Sequence, residues 1–289
     1  MHADPWWVAA ATLLWALAML AAGKRWQVMV RVMGGRISLV HALLVTLATV
    51  AVNNVTPSGR LAGEAGRIAV TRVKGQLPLA LGAVASLGDR VGDLVAVLAL
   101  SLVALPSLWP IVEGHARPAL AVLAAIGALT LVFGPRLRRA SRSWLIARRR
   151  ELEGAPFAGR DLVVALGLSL LIWFEDALRL MAAARAVGVE FAFPQGAALC
   201  VVMVLGSLVP TVGGLGAVEG GLVGAMVLFG VPIESAIAVT AVERAISYVL
   251  STVLGFGSVV WLGGRSLLTP PAVTAPADAD FRPDGGLRR

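Results

Sequence analysis

Uninterrupted apolar runs recur along the chain at about 6–22, 78–104, 118–134, 161–185 and 235–262. A helix needs roughly 20 apolar residues to cross ~30 Å of hydrocarbon, so each run predicts a membrane-spanning helix. Two further apolar regions, 38–74 and 195–229, are broken near their middles by Pro57, Ser58 and Gly59 in the first and by Pro210 to Gly216 in the second. Irregular backbone at membrane depth is tolerated only where protein or water covers it. Each broken region therefore predicts a re-entrant helical hairpin or a pair of short spans. The first run follows no basic segment and lacks a small-residue cleavage site, so it is expected to remain as a helix and not to be removed as a signal peptide. Trp6 and Trp7 at its start suit the headgroup level.

Composition agrees with a bilayer as the solvent. Across 289 residues only 15% are charged and mean hydropathy is +0.83, which excludes an ordinary soluble domain and a disordered chain. The net charge of +8 would suit nucleic acid, but the basic residues are grouped by loop. Lys24, Arg25, Arg31 and Arg36 form one group and Arg72 with Lys74 a second; Arg136, Arg138, Arg139, Arg142, Arg148, Arg149, Arg150 and Arg160 form a third. The alternate loops near 105–117 and 186–194 hold little beyond Arg117. By the positive-inside rule the N-terminus lies outside and the C-terminus in the cytoplasm, with cytoplasmic loops at 23–37, 135–160 and 263–289. A cell (inner) membrane location follows, with no nucleic-acid partner. The run Arg136 to Arg150 is expected to sit near anionic lipid headgroups. Cys200 is the only cysteine, and His2, His41 and His115 are widely separated, so neither a disulfide nor a metal site is expected.

The same orientation rule gives both ends of 38–74 to the cytoplasm and both ends of 195–229 to the outside. The two regions also resemble each other. In the first, Glu64 is followed by Gly75, Pro78 and Arg90; in the second, Glu219 is followed by Gly230, Pro232 and Arg244. Similar segments inserted from opposite faces describe an inverted-topology repeat. The expected fold is an all-α polytopic membrane bundle forming a single transmembrane domain, 1–262. Its first repeat covers about 6–104, its connector helix 118–134 and its second repeat about 161–262, and a disordered cytoplasmic tail occupies 263–289.

This arrangement leaves Arg60, Arg67, Arg90, Arg179 and Arg244 at membrane depth with Glu64, Asp89, Asp93, Glu175, Asp176, Glu219 and Glu243. At about 2.5–3.5 kcal/mol each on insertion scales, a dozen charges facing lipid would exceed the stability of an ordinary domain. They are expected to face one another or a wet cavity. Spacing agrees, since Arg60, Glu64, Arg67, Thr71 and Lys74 share one helical face and Glu175 and Arg179 stand at i,i+4. Structural ion pairing accounts for any single pair equally well; the excess of charge at both broken regions favours a pathway for substrate or ions. Helices restarting near Ser58 and near Gly216 would aim unpaired N–H groups inward, which suits phosphate or carboxylate. Arginines would add bidentate donors for such a headgroup. The substrate-binding candidates are Arg60, Glu64, Arg67, Arg90, Asp93, Gly213, Gly214, Glu219 and Arg244.

The stretches VNNVTPSGRLAGEAGRIAVTRVKG at 52–75, GDRVGDL at 88–94 and VPTVGGLGAVEGGLVGAMVLFGVPIESAIAVTAVERAISYVLSTVLG at 209–255 resemble the flippase-like transmembrane domain of lysylphosphatidylglycerol synthases and its stand-alone relatives. The resemblance covers most of 38–262. It is carried at Asn53, Asn54, Pro57, Gly63, Glu64, Arg67, Arg90, Asp93, Gly213, Gly214, Gly216, Glu219 and Arg244. It implies a helical domain that moves a lipid, or a polyprenyl-phosphate-linked headgroup, between leaflets without a cofactor. Full-length synthases carry a large soluble domain that attaches lysine to the lipid, whereas this sequence stops about 27 residues after position 262, so synthase activity is not expected and the protein is not expected to be an enzyme. The alternatives are a membrane-embedded enzyme acting on lipid headgroups and a scaffold for a cytoplasmic lipid-modifying partner. Neither a catalytic triad nor metal-ligand spacing is visible for the enzyme. Oligomeric state has no sequence signal.

Overall fold

The computed structural model describes residues 3–57, 61–75, 77–114, 159–209 and 211–263. The connector helix expected at 118–134, most of the basic loop 135–160, Arg60, Pro210 and the tail after Gly263 lie outside the described residues. Among the described residues every regular element is helical. The helices are α1 (Pro5–Val32), α2 (Leu39–Val55), α3 (Leu61–Gly75), α4 (Leu79–Gly114), α5 (Gly159–Ala186), α6 (Phe193–Ser207), α7 (Ala217–Leu228) and α8 (Ile233–Gly263). A single 3-10 turn, Val212–Gly214, stands between α6 and α7, and α8 contains a π-helical turn at Ala245–Leu250.

Three helices, Pro5–Val32, Leu79–Trp109 and Ile233–Gly263, are long and apolar enough to cross a membrane. Helix α5 is as long as α1, at 28 residues, but carries Glu175, Asp176 and Arg179 in its C-terminal half. Large apolar side chains cover the outside, among them Leu102, Val163 and Val260. A soluble protein does not present so much contiguous apolar surface; together with the helix lengths, it is the surface of a multi-pass membrane protein. Helices α2, α3, α6 and α7 have 17, 15, 15 and 12 residues. At about 1.5 Å per residue, each is too short to cross ~30 Å of hydrocarbon upright.

The breaks fall where Pro and Gly predict them, between Val55 and Leu61 and between Ser207 and Ala217. Two expected loops are instead helical. The first apolar run does not stop at 22: α1 continues to Val32, because Arg25 turns inward to carboxylates while Lys24 and Arg31 remain exposed. Similarly, α4 runs through the expected loop near 105–117 as far as Gly114 and contains Pro106 and Pro110.

At the centre α1 and α5 lie antiparallel. Asp4 N–H donates to the Ala186 carbonyl at 2.7 Å at one end, and Arg31 lies 3.5 Å from Asp161 at the other. Buried Ala11 of α1 packs in one cluster with Ala182 of α5, and Ala21 and Ala22 pack with Ile172; small residues of this kind are the usual way membrane helices come close. Around this pair the packing is exchanged. Helix α2 lies along the C-terminal part of α8, and α6 lies along α4. Each broken region thus rests on the long helix of the opposite half, while α3 and α7 pack on the long helices of their own halves.

Candidate functional site

Most of the described charged side chains at membrane depth meet in the interior in linked groups. In the first half, Arg25 of α1 places Nε 2.6 Å from Asp89 Oδ1 and donates through Nη1 to Asp93 Oδ1 at 2.5 Å and to Ser169 Oγ at 2.8 Å. Arg67 of α3 donates to the other Asp89 oxygen at 2.8 Å, lies 3.7 Å from Glu64, and stacks its guanidinium 3.7 Å from the ring centre of Trp26. Arg90 pairs with Glu64 and, at 3.3 Å, with Asp93. Ser86 Oγ donates to Glu64 at 2.5 Å, and Trp173 Nε1 donates to Asp93 at 3.2 Å. Three arginines and three carboxylates balance here, and their mutual attraction and hydrogen bonds offset the desolvation cost of burying each ion.

The second half repeats this plan with different partners filled in. Arg179 of α5 donates to Glu243 of α8 at 2.6 Å and to Asp176 at 3.0 and 3.2 Å. Arg244 donates through Nε to Glu219 at 2.6 Å and through Nη2 to the Gly213 carbonyl at 3.2 Å, with its guanidinium 4.7 Å from the Tyr248 ring centre. Arg25, Asp89 and Arg90 recur 154 positions later as Arg179, Glu243 and Arg244, and Glu64 recurs 155 positions later as Glu219. The pairing recurs with them: Arg25–Asp89 and Arg179–Glu243 both close at 2.6 Å, and Glu64–Arg90 matches Glu219–Arg244. Because α1 and α5 are antiparallel, the two sets run in opposite senses.

Between the sets lies a cavity of about 250 Å³. Arg25 and Asp93 reach it from the first half; Asp176, Arg179, Arg244, Gly213 and Gly214 reach it from the second. Asn54 bridges the halves, donating to Thr252 Oγ1 at 2.9 Å while its carbonyl accepts from Tyr248 Oη at 3.0 Å. The Thr211 and Ser247 hydroxyls also line the cavity, buried and without a hydrogen-bond partner among the described residues. Buried hydroxyls are rarely left unpaired, so they mark a polar space that takes water or a polar ligand. Gly213 and Gly214 are required by shape. Their φ angles are +58° and +75°, and a Cβ on Gly213 would collide with Tyr248 and the Asn54 carbonyl.

Of the candidate residues, Asp93, Gly213, Gly214 and Arg244 line this cavity. Glu64, Arg67 and Arg90 stand behind it in the network joined through Asp89 and Asp93. Arg60 lies outside the described residues. Glu219 has a different position from the expected one: its Oε2 accepts from Gly216 N–H at 2.6 Å and so caps its own helix. The helix end expected to hold a substrate anion is occupied by that carboxylate. The i,i+4 pairing of Glu175 with Arg179 is also replaced, because Arg179 turns to Asp176 and Glu243, and Glu175 Oε2 is buried without a partner. Sequence reasoning left Arg25 out of the site by counting it as a loop charge. The 154-residue correspondence with Arg179 was the signal that would have found it. Among the described residues no group of three or more His, Cys, Asp and Glu is placed to hold a metal.

Residues 1–255 match the family described as the lysylphosphatidylglycerol synthase TM region. The chain is similar to a UPF0104 membrane protein of Methanothermobacter thermautotrophicus, 25% identical across 90% of this chain and 84% of that protein. Another UPF0104 membrane protein match in the same organism is 23% identical across 90% of this chain and 87% of its own length.

Proposed function

The chain belongs to the lysylphosphatidylglycerol synthase transmembrane-region family, a family of membrane proteins tied to lipid handling, and from that premise we propose that it moves a lipid with an anionic or zwitterionic headgroup between leaflets. The observation that carries this reading is the cavity walled by arginines and carboxylates from both halves of an antiparallel pair. The headgroup crosses through that polar space while its acyl or prenyl chains stay in the bilayer. The two broken regions act as hairpins dipping in from opposite faces, and rocking of one half against the other alternates access. Arg25, Arg179 and Arg244 meet the headgroup, with Thr211 and Ser247 supplying neutral hydrogen bonds. No chemical step on the headgroup is part of this reading.

The test is reconstitution into vesicles of defined lipid. Labelled phospholipid and polyprenyl phosphate are followed from one leaflet to the other. At least one is expected to move faster than in protein-free vesicles and to slow with Arg244→Ala. If neither probe moves faster than in empty vesicles, the reading fails.

A further inference from the structure

The two ion-pair sets differ at one position, and the difference leaves a charge uncompensated. Asp89 has two arginines, Arg25 Nε 2.6 Å from Oδ1 as an ion pair and Arg67 donating to Oδ2 at 2.8 Å. Its counterpart Glu243 has one, Arg179, which donates to Oε1, and its Oε2 is buried with no hydrogen-bond partner among the described residues. The cause is a substitution between repeats. The position equivalent to Arg67 is Leu222, a fully buried apolar side chain. Arg179 must also serve Asp176. Arg244, next along α8, is already committed to Glu219. Two carboxylates therefore share one guanidinium where the first half gives one carboxylate two guanidiniums.

A carboxylate that is 1% exposed with one oxygen lacking a hydrogen bond is costly to keep as an anion. We propose that the carboxylates gathered on Arg179, Glu243 and Asp176, form a binding site for a single exchangeable proton. The remaining titratable and charged neighbours are Glu175 on α5, Cys200 on α6, Asp93 on α4 and Arg244 on α8; the adjoining cavity wall from α2 offers the uncharged Asn53 and Asn54. Asp176 lines the cavity and Glu243 stands behind Arg179. A proton from cavity water reaches Asp176, and neutralising Asp176 leaves the Arg179 charge to Glu243 alone. Binding breaks no bond other than that of the donor water or hydronium, and release returns the proton to the cavity. Glu64 and Glu219 are poor alternatives, because each already holds an arginine and a second donor; Glu175, whose Oε2 is also buried without a hydrogen-bond partner among the described residues, is the competing acceptor that the Glu175→Gln variant tests.

The proton site stands without the translocation reading; only its use as a coupling ion rests on that reading. The direct test is infrared spectroscopy of the purified full-length protein at neutral pH, where exposed carboxylates are ionised. A carbonyl band from a protonated carboxylic acid is expected, moving in heavy water, lost or shifted in Glu243→Gln and in Asp176→Asn, and kept in Glu64→Gln and Glu219→Gln. Arg67→Leu, which gives the first half the composition of the second, is expected to add a second band from Asp89. Absence of the band, or a band unchanged in Glu243→Gln and Asp176→Asn, overturns the proposal. Loss in Glu175→Gln alone overturns it too. In vesicles a pH gradient is expected to change lipid movement by the wild type and not by Glu243→Gln. If the band is present and lipid does not move, the translocation reading fails and the proton site stands.

Discussion

Arg25 Nε lies 2.6 Å from Asp89 Oδ1, and it comes from a stretch whose charge marks it as the end of a membrane helix. The helix continues because Asp89 and Asp93 receive that charge inside the bundle.

Removing that cation leaves two carboxylates short of a partner. Arg25→Ala is expected to cost about 3–5 kcal/mol, the range for breaking a buried pair. Arg90 is 38% exposed at its side chain, so Arg90→Ala should cost less than Arg25→Ala. Reversible unfolding of the two variants in mild detergent measures the gap, and equal losses would contradict the burial difference.

Gly213 holds the break open for Tyr248 and the Asn54 carbonyl. Gly213→Ala is expected to lose about 1–2 kcal/mol from backbone strain alone, with further loss from the collision, and lipid movement should fall with it. Gly66, whose added Cβ would meet nothing within 4 Å, is the control: Gly66→Ala should leave both unchanged. Thermal melting and vesicle assays on the pair read this.

Glu219 serves two donors, the Gly216 N–H at the start of α7 and Arg244 on α8. A double-mutant cycle on Glu219→Ala and Arg244→Ala should therefore show non-additivity of at least about 1 kcal/mol. Glu219→Ala alone should lose about 0.5–1.5 kcal/mol more than the pair term, from the hydrogen bond to Gly216 N–H. Additive losses would show that the two side chains act independently.

Val260 is 70% exposed on a helix long and apolar enough to span. Val260→Arg is expected to cost about 2.5–3.5 kcal/mol of insertion free energy if that face meets lipid. A topology reporter in membranes measures the inserted fraction. No change would place Val260 against protein or water.

The breaks were readable from sequence because Pro57 and the cluster of glycines from Gly213 to Gly216 disfavour a continuous helix, and the interior charges were readable because lipid holds them only at high cost. Partners were harder. Glu64 and Arg90 are 26 positions apart, and the matching interval between Glu219 and Arg244 was visible, but that the two ends of each interval touch depends on α3 and α7 folding back onto α4 and α8. Local spacing pointed Arg179 at Glu175, whereas tertiary packing gave it Glu243 from a helix 64 positions away. Arg25 was hidden by a counting rule that treats an arginine at the end of an apolar run as a loop residue. Glu219 was legible as an important position and illegible as a cap, since the turn that offers Gly216 N–H exists only once Gly213 and Gly214 adopt their left-handed backbone.

No guanidinium on the cavity wall is waiting alone: Arg25, Arg179 and Arg244 each already grip a carboxylate. On the proposed translocation reading, an arriving negative group would cut in on an existing couple, and whatever it gained would be offset by the partner it displaced. Such a wall would grip lightly in both directions, with the jilted carboxylate ready to reclaim its arginine and push the visitor onward.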